Sequence, residues 1–152
     1  MSEVRMTRSG PFWDGVEGRA PIPPAAATLG FQFIDANAEA GTIEVAFAAT
    51  EAFTNPAGNV LGAFVAAMLY DTVGPALLAV LEPDQFQSTR QLNVTFLRAV
   101  RPGRVTGRGR IVHRDEDLAF LEASLIDSGG SVIATATATA QVISLSRAPG
   151  AA

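Results

Sequence analysis

The sequence predicts an α+β domain in which an antiparallel six-stranded sheet wraps around one long central helix. Three observations carry this reading. From Asn55 to Leu81 the chain is almost uncharged, with Asp71 its only ionisable carboxylate, which fits a helix buried on most sides. Ahead of it lie two segments with strand character. Behind it, from Ser88 almost to the C-terminal end, strand patterns recur between short turn-forming runs.

Residues 1 to 20 are mixed in character and punctuated by Gly10, Gly15 and Gly18, with Phe12 and Trp13 as anchors for the core. Pro21 to Pro24 form a rigid entry, and Ala25 to Leu29 suit a short helical turn. Two strands follow, Phe31 to Ala36 and Thr42 to Ala49, joined by a turn-like run from Asn37 to Gly41. In the second, Ile43, Val45 and Phe47 alternate with Thr42, Glu44 and Ala46, the mark of a sheet covered on one face.

The long helix is expected from about Val60 to Leu81, where Glu82-Pro83-Asp84 ends it. Gly62, Ala63, Ala66 and Ala67 would allow another surface to approach its backbone closely. Four strands are expected after it, at Thr89 to Val100, Arg104 to His113, Leu118 to Asp127 and Ser131 to Ile143. Short turns between them predict an antiparallel meander. The reading divides the chain into an N-terminal extension packed on the domain (1–26), the sheet-and-helix domain (27–143) and a flexible tail (144–152).

Composition narrows the chemistry. At 152 residues one domain suffices, and 48% hydrophobic with 17% charged residues is ordinary globular usage. No cysteine is present, which excludes disulfides, thiolate metal sites and a cysteine nucleophile, and a single His113 argues against a histidine metal cluster. His113 also lacks the neighbours of a triad. The N-terminus lacks a secretory pattern, so a cytoplasmic location is expected. A transmembrane reading of the central helix is disfavoured by Asp71, by the Gly74-Pro75 interruption and by the lack of basic and aromatic flanks. Seven of the eleven basic residues, all arginine, fall between Arg90 and Arg114 with no acid among them. On a chain of net charge −4 this band speaks against general nucleic-acid binding but suits a compact anion such as a nucleotide phosphate, or else a solvated strand face. The GRGR run at 107 to 110 lies in a strand pattern with no helix after it, so it is not a phosphate-binding loop.

Asn55-Pro56-Ala57-Gly58-Asn59-Val60-Leu61-Gly62-Ala63, the helix through Tyr70-Asp71-Thr72-Val73-Gly74, the strand from Thr89 to Phe96 and the run from Ala134 to Ala138 together carry a resemblance. Over residues 27 to 143 the chain resembles the hotdog-fold acyl-CoA thioesterases of the phenylacetate-pathway, PaaI-like type. That resemblance implies hydrolysis of an acyl-CoA thioester to free acid and CoA. It implies no separate cofactor, since CoA is part of the substrate, no metal, and a homodimer or homotetramer with sites at the subunit interface. It implies roles as well. Asn55 orients at the mouth of the site. The Gly62 N–H, at the helix N-terminus, polarises the thioester carbonyl. Thr89 positions water from the partner subunit, and Leu61, Ala63, Tyr70 and Arg90 touch substrate.

The chain departs from the family pattern of Asn, two residues, Gly, two residues, His-Gly-Gly, and then an acid eight residues after the first Gly of that pair. Leu61 replaces the histidine and Ala63 the second glycine, and Tyr70 occupies the acid position with Asp71 one step beyond. One step turns a side chain by about 100° around a helix. Thioester hydrolysis requires a base or a nucleophile, which Asp71 can supply, whereas a phenol is a poor base near neutrality but a good hydrogen-bond donor. Two readings stay open: Asp71 activates water, or the protein is a catalytically weak acyl-CoA binding protein. A hotdog dehydratase is disfavoured, because those enzymes use a site histidine. In any of these readings buried Asp71 should have a partner, in the backbone or in an arginine such as Arg90.

Overall fold

The computed structural model describes residues 9–150. Two short helices, α1 (Pro11–Val16) and α2 (Pro24–Thr28), precede strands β1 (Gln32–Asn37) and β2 (Thr42–Ala49). Helix α3 (Gly62–Leu78) follows, and then β3 (Gln85–Phe96), β4 (Gly103–Asp115), β5 (Leu118–Ile126) and β6 (Val132–Ser144). One six-stranded antiparallel sheet curls around α3, as the sequence predicts. Residues Leu145–Gly150 close with a 3₁₀ helix, and the Leu145 amide donates to the Asp84 carbonyl at 2.7 Å.

The strand order β1-β2-β4-β5-β6-β3 corrects the meander expected for the last four strands. Only β4, β5 and β6 form one. β3 pairs along its whole length with β6, and β4 pairs with β2. The run at Arg101-Pro102-Gly103 is therefore the end of a crossing connection and not a hairpin turn. Buried Val100 holds that connection down, its carbonyl accepting from the Val60 amide at 2.8 Å. β3 is left as a twelve-residue edge strand beside the exposed side of α3.

Helix α3 starts later than its apolar run, because Val60 is held extended by a bridge to Thr54 and Leu61 has φ −59°, ψ 138°. Its C-terminal half is buried almost all round: Thr72, Val73, Gly74, Pro75, Ala76 and Leu77. Its N-terminal half is not. Ala63 and Tyr70 are exposed and Gly62, Ala66 and Ala67 half-buried, so the small residues lie on the less covered side of the helix.

The GRGR run is where the sheet comes closest to the helix. A Cβ at Gly107 would lie 2.5 Å from Thr72 Oγ1, 3.0 Å from Val45 Cγ2 and 3.2 Å from Phe47 Cε2, and one at Gly109 would lie 3.1 Å from the Thr72 carbonyl. Thr72 cannot recede, since it is fully buried with its hydroxyl donating to Met68 O at 2.7 Å. Gly107→Ala is accordingly expected to lower stability by about 1–3 kcal/mol. Urea unfolding checks this against Gly129→Ala, whose Cβ meets nothing closer than 3.4 Å and which should be nearly neutral.

The N-terminal segment is anchored by Trp13, which is fully buried and donates from Nε1 to the Ala79 carbonyl at 3.2 Å. Trp13 packs edge to face with Phe12 and Phe33 at centroid distances of 5.2 and 5.3 Å. This places α1 across the C-terminal half of α3, over the side chain of Asp71.

Candidate active site

Two cavities meet at Tyr70 and Asp71. One, of about 340 Å³, lies between the N-terminal segment (Phe12, Val16, Ile22), α3 (Tyr70, Asp71, Gly74, Leu78) and the start of β3 (Phe86, Gln87). The other, of about 400 Å³, is an open cleft along α3 lined by Ala25, Leu29, Ala66, Ala67 and Leu92. Both adjacent side chains line both cavities. They differ in exposure, for Tyr70 is 40% exposed while the Asp71 carboxyl is sheltered.

Asp71 Oδ2 is buried without a hydrogen-bond partner among the described residues. The expected arginine partner is absent, since Arg90 stands outward on β3 and both Nε and Nη2 donate to Gln141 Oε1, at 3.2 and 2.6 Å. A register irregularity between Thr89 and Gln91 interrupts the β3–β6 pairing at Arg90. Burial alone pushes the Asp71 carboxyl up to about 7. Among the described residues Tyr70 is the only other titratable side chain lining either cavity. Pro75, one turn on, has no N–H for the Asp71 carbonyl, so the helix lacks a hydrogen bond at this residue. An acid balanced near neutrality in an apolar setting is suited to taking and returning a proton.

Gly62 opens α3, and its cap residue Leu61 has no side-chain acceptor, so the first-turn amides have no capping side chain. A Cβ at Gly62 would sit 3.3 Å from the ring of Phe96, itself 57% exposed. Asn55 works locally: its Oδ1 accepts from the Ala57 and Asn59 amides at 3.0 and 3.2 Å, shaping the turn that delivers the chain to α3. Gly58 completes that turn at φ +82°. Thr89 is buried, and its hydroxyl donates to Gln87 Oε1 at 3.0 Å. Leu61 and Ala63 are exposed at the helix start.

One protomer does not bring these groups together. Nine residues separate Gly62 from Asp71, which is about 13 Å along the helix and about half a turn around it. Asp71, Tyr70, Gln87 and Thr89 form one cluster, and Gly62, Leu61, Ala63 and Asn55 another. Gln87 and the N-terminal wall were not anticipated from sequence. A buried glutamine two residues before Thr89 on the same strand face was the available signal. Among the described residues no group of three or more His, Asp or Glu side chains could hold a metal. A further depression, about 710 Å³ on the outer face of the sheet, is not lined by Asp71, and its arginines are paired as Arg108–Glu44 and Arg110–Glu122.

Residues 50–141 match the family model of the acyl-CoA thioesterase N-terminal domain. The chain belongs to the acyl-CoA thioesterase family. Among solved structures it is similar to a phenylacetic acid degradation-related protein, described as a thioesterase, from Ralstonia eutropha. That similarity has 38% identity and TM-score 0.83, covering 86% of this chain and 98% of that one. A thioesterase from Haemophilus influenzae shares the fold at 18% identity and TM-score 0.78, with 92% and 95% covered. The E. coli PaaI protein of the phenylacetic acid degradation operon does so at 15% identity and TM-score 0.74, with 87% and 93% covered. No curated protein matches the sequence. These relatives identify this thioesterase as hotdog-folded and PaaI-like. Among the described residues no helix is long and apolar enough to cross a membrane.

Proposed function

We propose that this thioesterase hydrolyses acyl-CoA at a site shared by two protomers, with Asp71 of one activating water and the Gly62 amide of the other receiving the oxyanion. The observation that carries the reading is the sheltered, unpartnered Asp71 carboxyl, raised to about 7, where an apolar chamber and a more open cleft meet. The separation of Gly62 from Asp71 within a chain supports sharing. So does the surface between them: exposed Leu61 (44%), Tyr70, Phe96 and Leu97 lie along α3 and the free edge of β3, an apolar strip suited to a second copy.

In the proposed step, Asp71 accepts a proton from water as its oxygen attacks the thioester carbonyl. The carbonyl oxygen gains charge, held by the helix N-terminal amide. The C–S bond then breaks, and the proton passes from Asp71 to the departing sulfur, giving free acid and CoA thiol. Tyr70 shapes the site beside the carboxyl. Thr89 fixes Gln87 near it. No metal or further cofactor is required.

Among the described residues the arginine band divides into paired and unpaired members, and the unpaired ones are the candidates for CoA phosphates. Arg90 and Arg104 are tied to Gln141 and Gln32, and Arg108 and Arg110 to glutamates. Arg98 and Arg101 flank Val100, whose carbonyl holds Val60 two residues before Gly62, and Arg101 Nη1 lies 3.2 Å from where a Gly58 Cβ would be. Arg114 is at the far end of β4. Replacing Arg98 and Arg101 together by Ala should raise KM about tenfold or more with kcat little changed. Steady-state kinetics should also show a weaker dependence of KM on salt.

A CoA-release screen over acetyl, medium-chain, long-chain and aryl thioesters tests the activity. Turnover of at least one class is expected. Tight binding of every class without release of CoA would contradict it.

A further inference from the structure

One wall of the chamber beside Asp71 is built from the N-terminal segment, which lies outside the sheet and the long helix that form the rest of it. We propose that the chamber receives the acyl group, so that the segment from Pro11 to Phe31 of the same chain sets which acyl lengths are hydrolysed. This rests on the thioesterase reading and adds to it a substrate class: an apolar acyl group, aliphatic of medium length or a single aromatic ring.

Position comes first. Tyr70 and Asp71, beside which the reacting carbonyl must lie, line the chamber together with residues of α1, α3 and the start of β3. The cleft on the other side of the same two residues is open, with room for the extended part of CoA. Chemistry comes second. Apart from Tyr70, Asp71 and Gln87 the chamber is walled by aliphatic and aromatic carbon, which stabilises apolar chains by about 0.8 kcal/mol per methylene buried and offers nothing to a charged acyl end.

Size comes third. At roughly 30 Å³ for a water-sized group, about 340 Å³ corresponds to about eleven carbon-sized groups. The floor does not yield readily. Phe12 packs on Trp13 and Phe33, with ring centroids 5.2 and 6.5 Å away, and Trp13 is fully buried and hydrogen-bonded to Ala79. Ile22 is the adjustable part of the wall: it is half-buried, and a Cβ built on Gly15 of α1 would still lie 3.7 Å from its Cγ2.

The test is a series of straight-chain acyl-CoA substrates from two to sixteen carbons, plus phenylacetyl-CoA, on the parent, Ile22→Ala and Ile22→Phe proteins. Ile22→Ala is expected to move the optimum to longer chains and Ile22→Phe to shorter ones. The kcat/KM ratio of dodecanoyl- to hexanoyl-CoA should change about tenfold or more in opposite directions. Active variants whose profiles superimpose on the parent's overturn the proposal. Should the parent hydrolyse none of the series, the thioesterase reading fails on its own. The chamber is then judged by calorimetric binding of the thioether S-octyl-CoA, where affinities equal in all three proteins overturn it and affinities that follow the Ile22 side chain support it.

Discussion

Replacing Asp71 by Asn is expected to lower kcat for acyl-CoA hydrolysis by about 10²–10⁴-fold, the range for losing a positioned general base. KM should change little, since Asn keeps the shape. The parent's kcat/KM should rise with pH through a midpoint near 7, because the base form is needed and burial holds the carboxyl at about 7. The same substitution should raise stability. The folded carboxyl lies near 7 against an ordinary value of 3.8, so its favourable contribution to folding is complete only below about 3.8 and is lost as pH rises through 7. Asn carries no such dependence. Above pH 7 the variant should therefore be more stable by a few kcal/mol, and below pH 4 the difference should vanish. Melting curves at pH 8 and pH 4 read this directly, with an upward shift on the order of 5–10 °C expected at pH 8. Loss of activity together with loss of stability would make Asp71 a structural residue. Gain of one with loss of the other is what a strained catalytic group produces.

Gly62→Pro is expected to lower kcat by about 10²–10³-fold while leaving the fold intact. Proline at the first helical position removes one backbone N–H that has no partner within the helix, and its φ suits that position. The preceding residue is already compatible, since Leu61 has φ −59° and ψ 138°, the extended region proline requires before it. Both Gly62→Pro and Gly62→Ala add a Cβ about 3.3 Å from Phe96, an exposed ring free to move. Only the proline deletes the donor. Equal activities of the two variants would show that the amide plays no part; a large deficit confined to proline assigns the loss to the N–H.

The six strands, α2 and the long helix were legible in the sequence because each is encoded locally, whereas helix α1 (Pro11–Val16) was not anticipated. Alternation from Ile43 to Phe47 and from Val132 to Gln141 gave strands, and the uncharged run around Asp71 gave the helix. Strand order was not legible. The pairing of β3 with β6 joins Thr89 to Ala140, and no short-range pattern signals it; a short connection from β3 to β4 looked like a hairpin but crosses to β2. The glycines of GRGR show the same limit, since their purpose lies in Thr72 of the helix. At the site, Gly62 and Asp71 stood out as the start of a helix and its only acid. What sequence could not supply was the absence of a partner for Asp71, the contribution of Gln87, or the wall made by Phe12 and Ile22. Each depends on segments far apart in the chain meeting over one face of α3.

The shared site is tested most directly by mixing two inactive proteins. Asp71→Asn and Gly62→Pro chains, unfolded together and refolded at equal amounts, form mixed dimers in which one site has Asp71 from one chain and Gly62 from the other. With random pairing, half the dimers are mixed and each has one of its two sites intact, so activity should recover to about a quarter of the parent's. If both groups were needed from a single chain, every site in every mixture would lack one of them. A mixture no more active than its separate components would contradict the account.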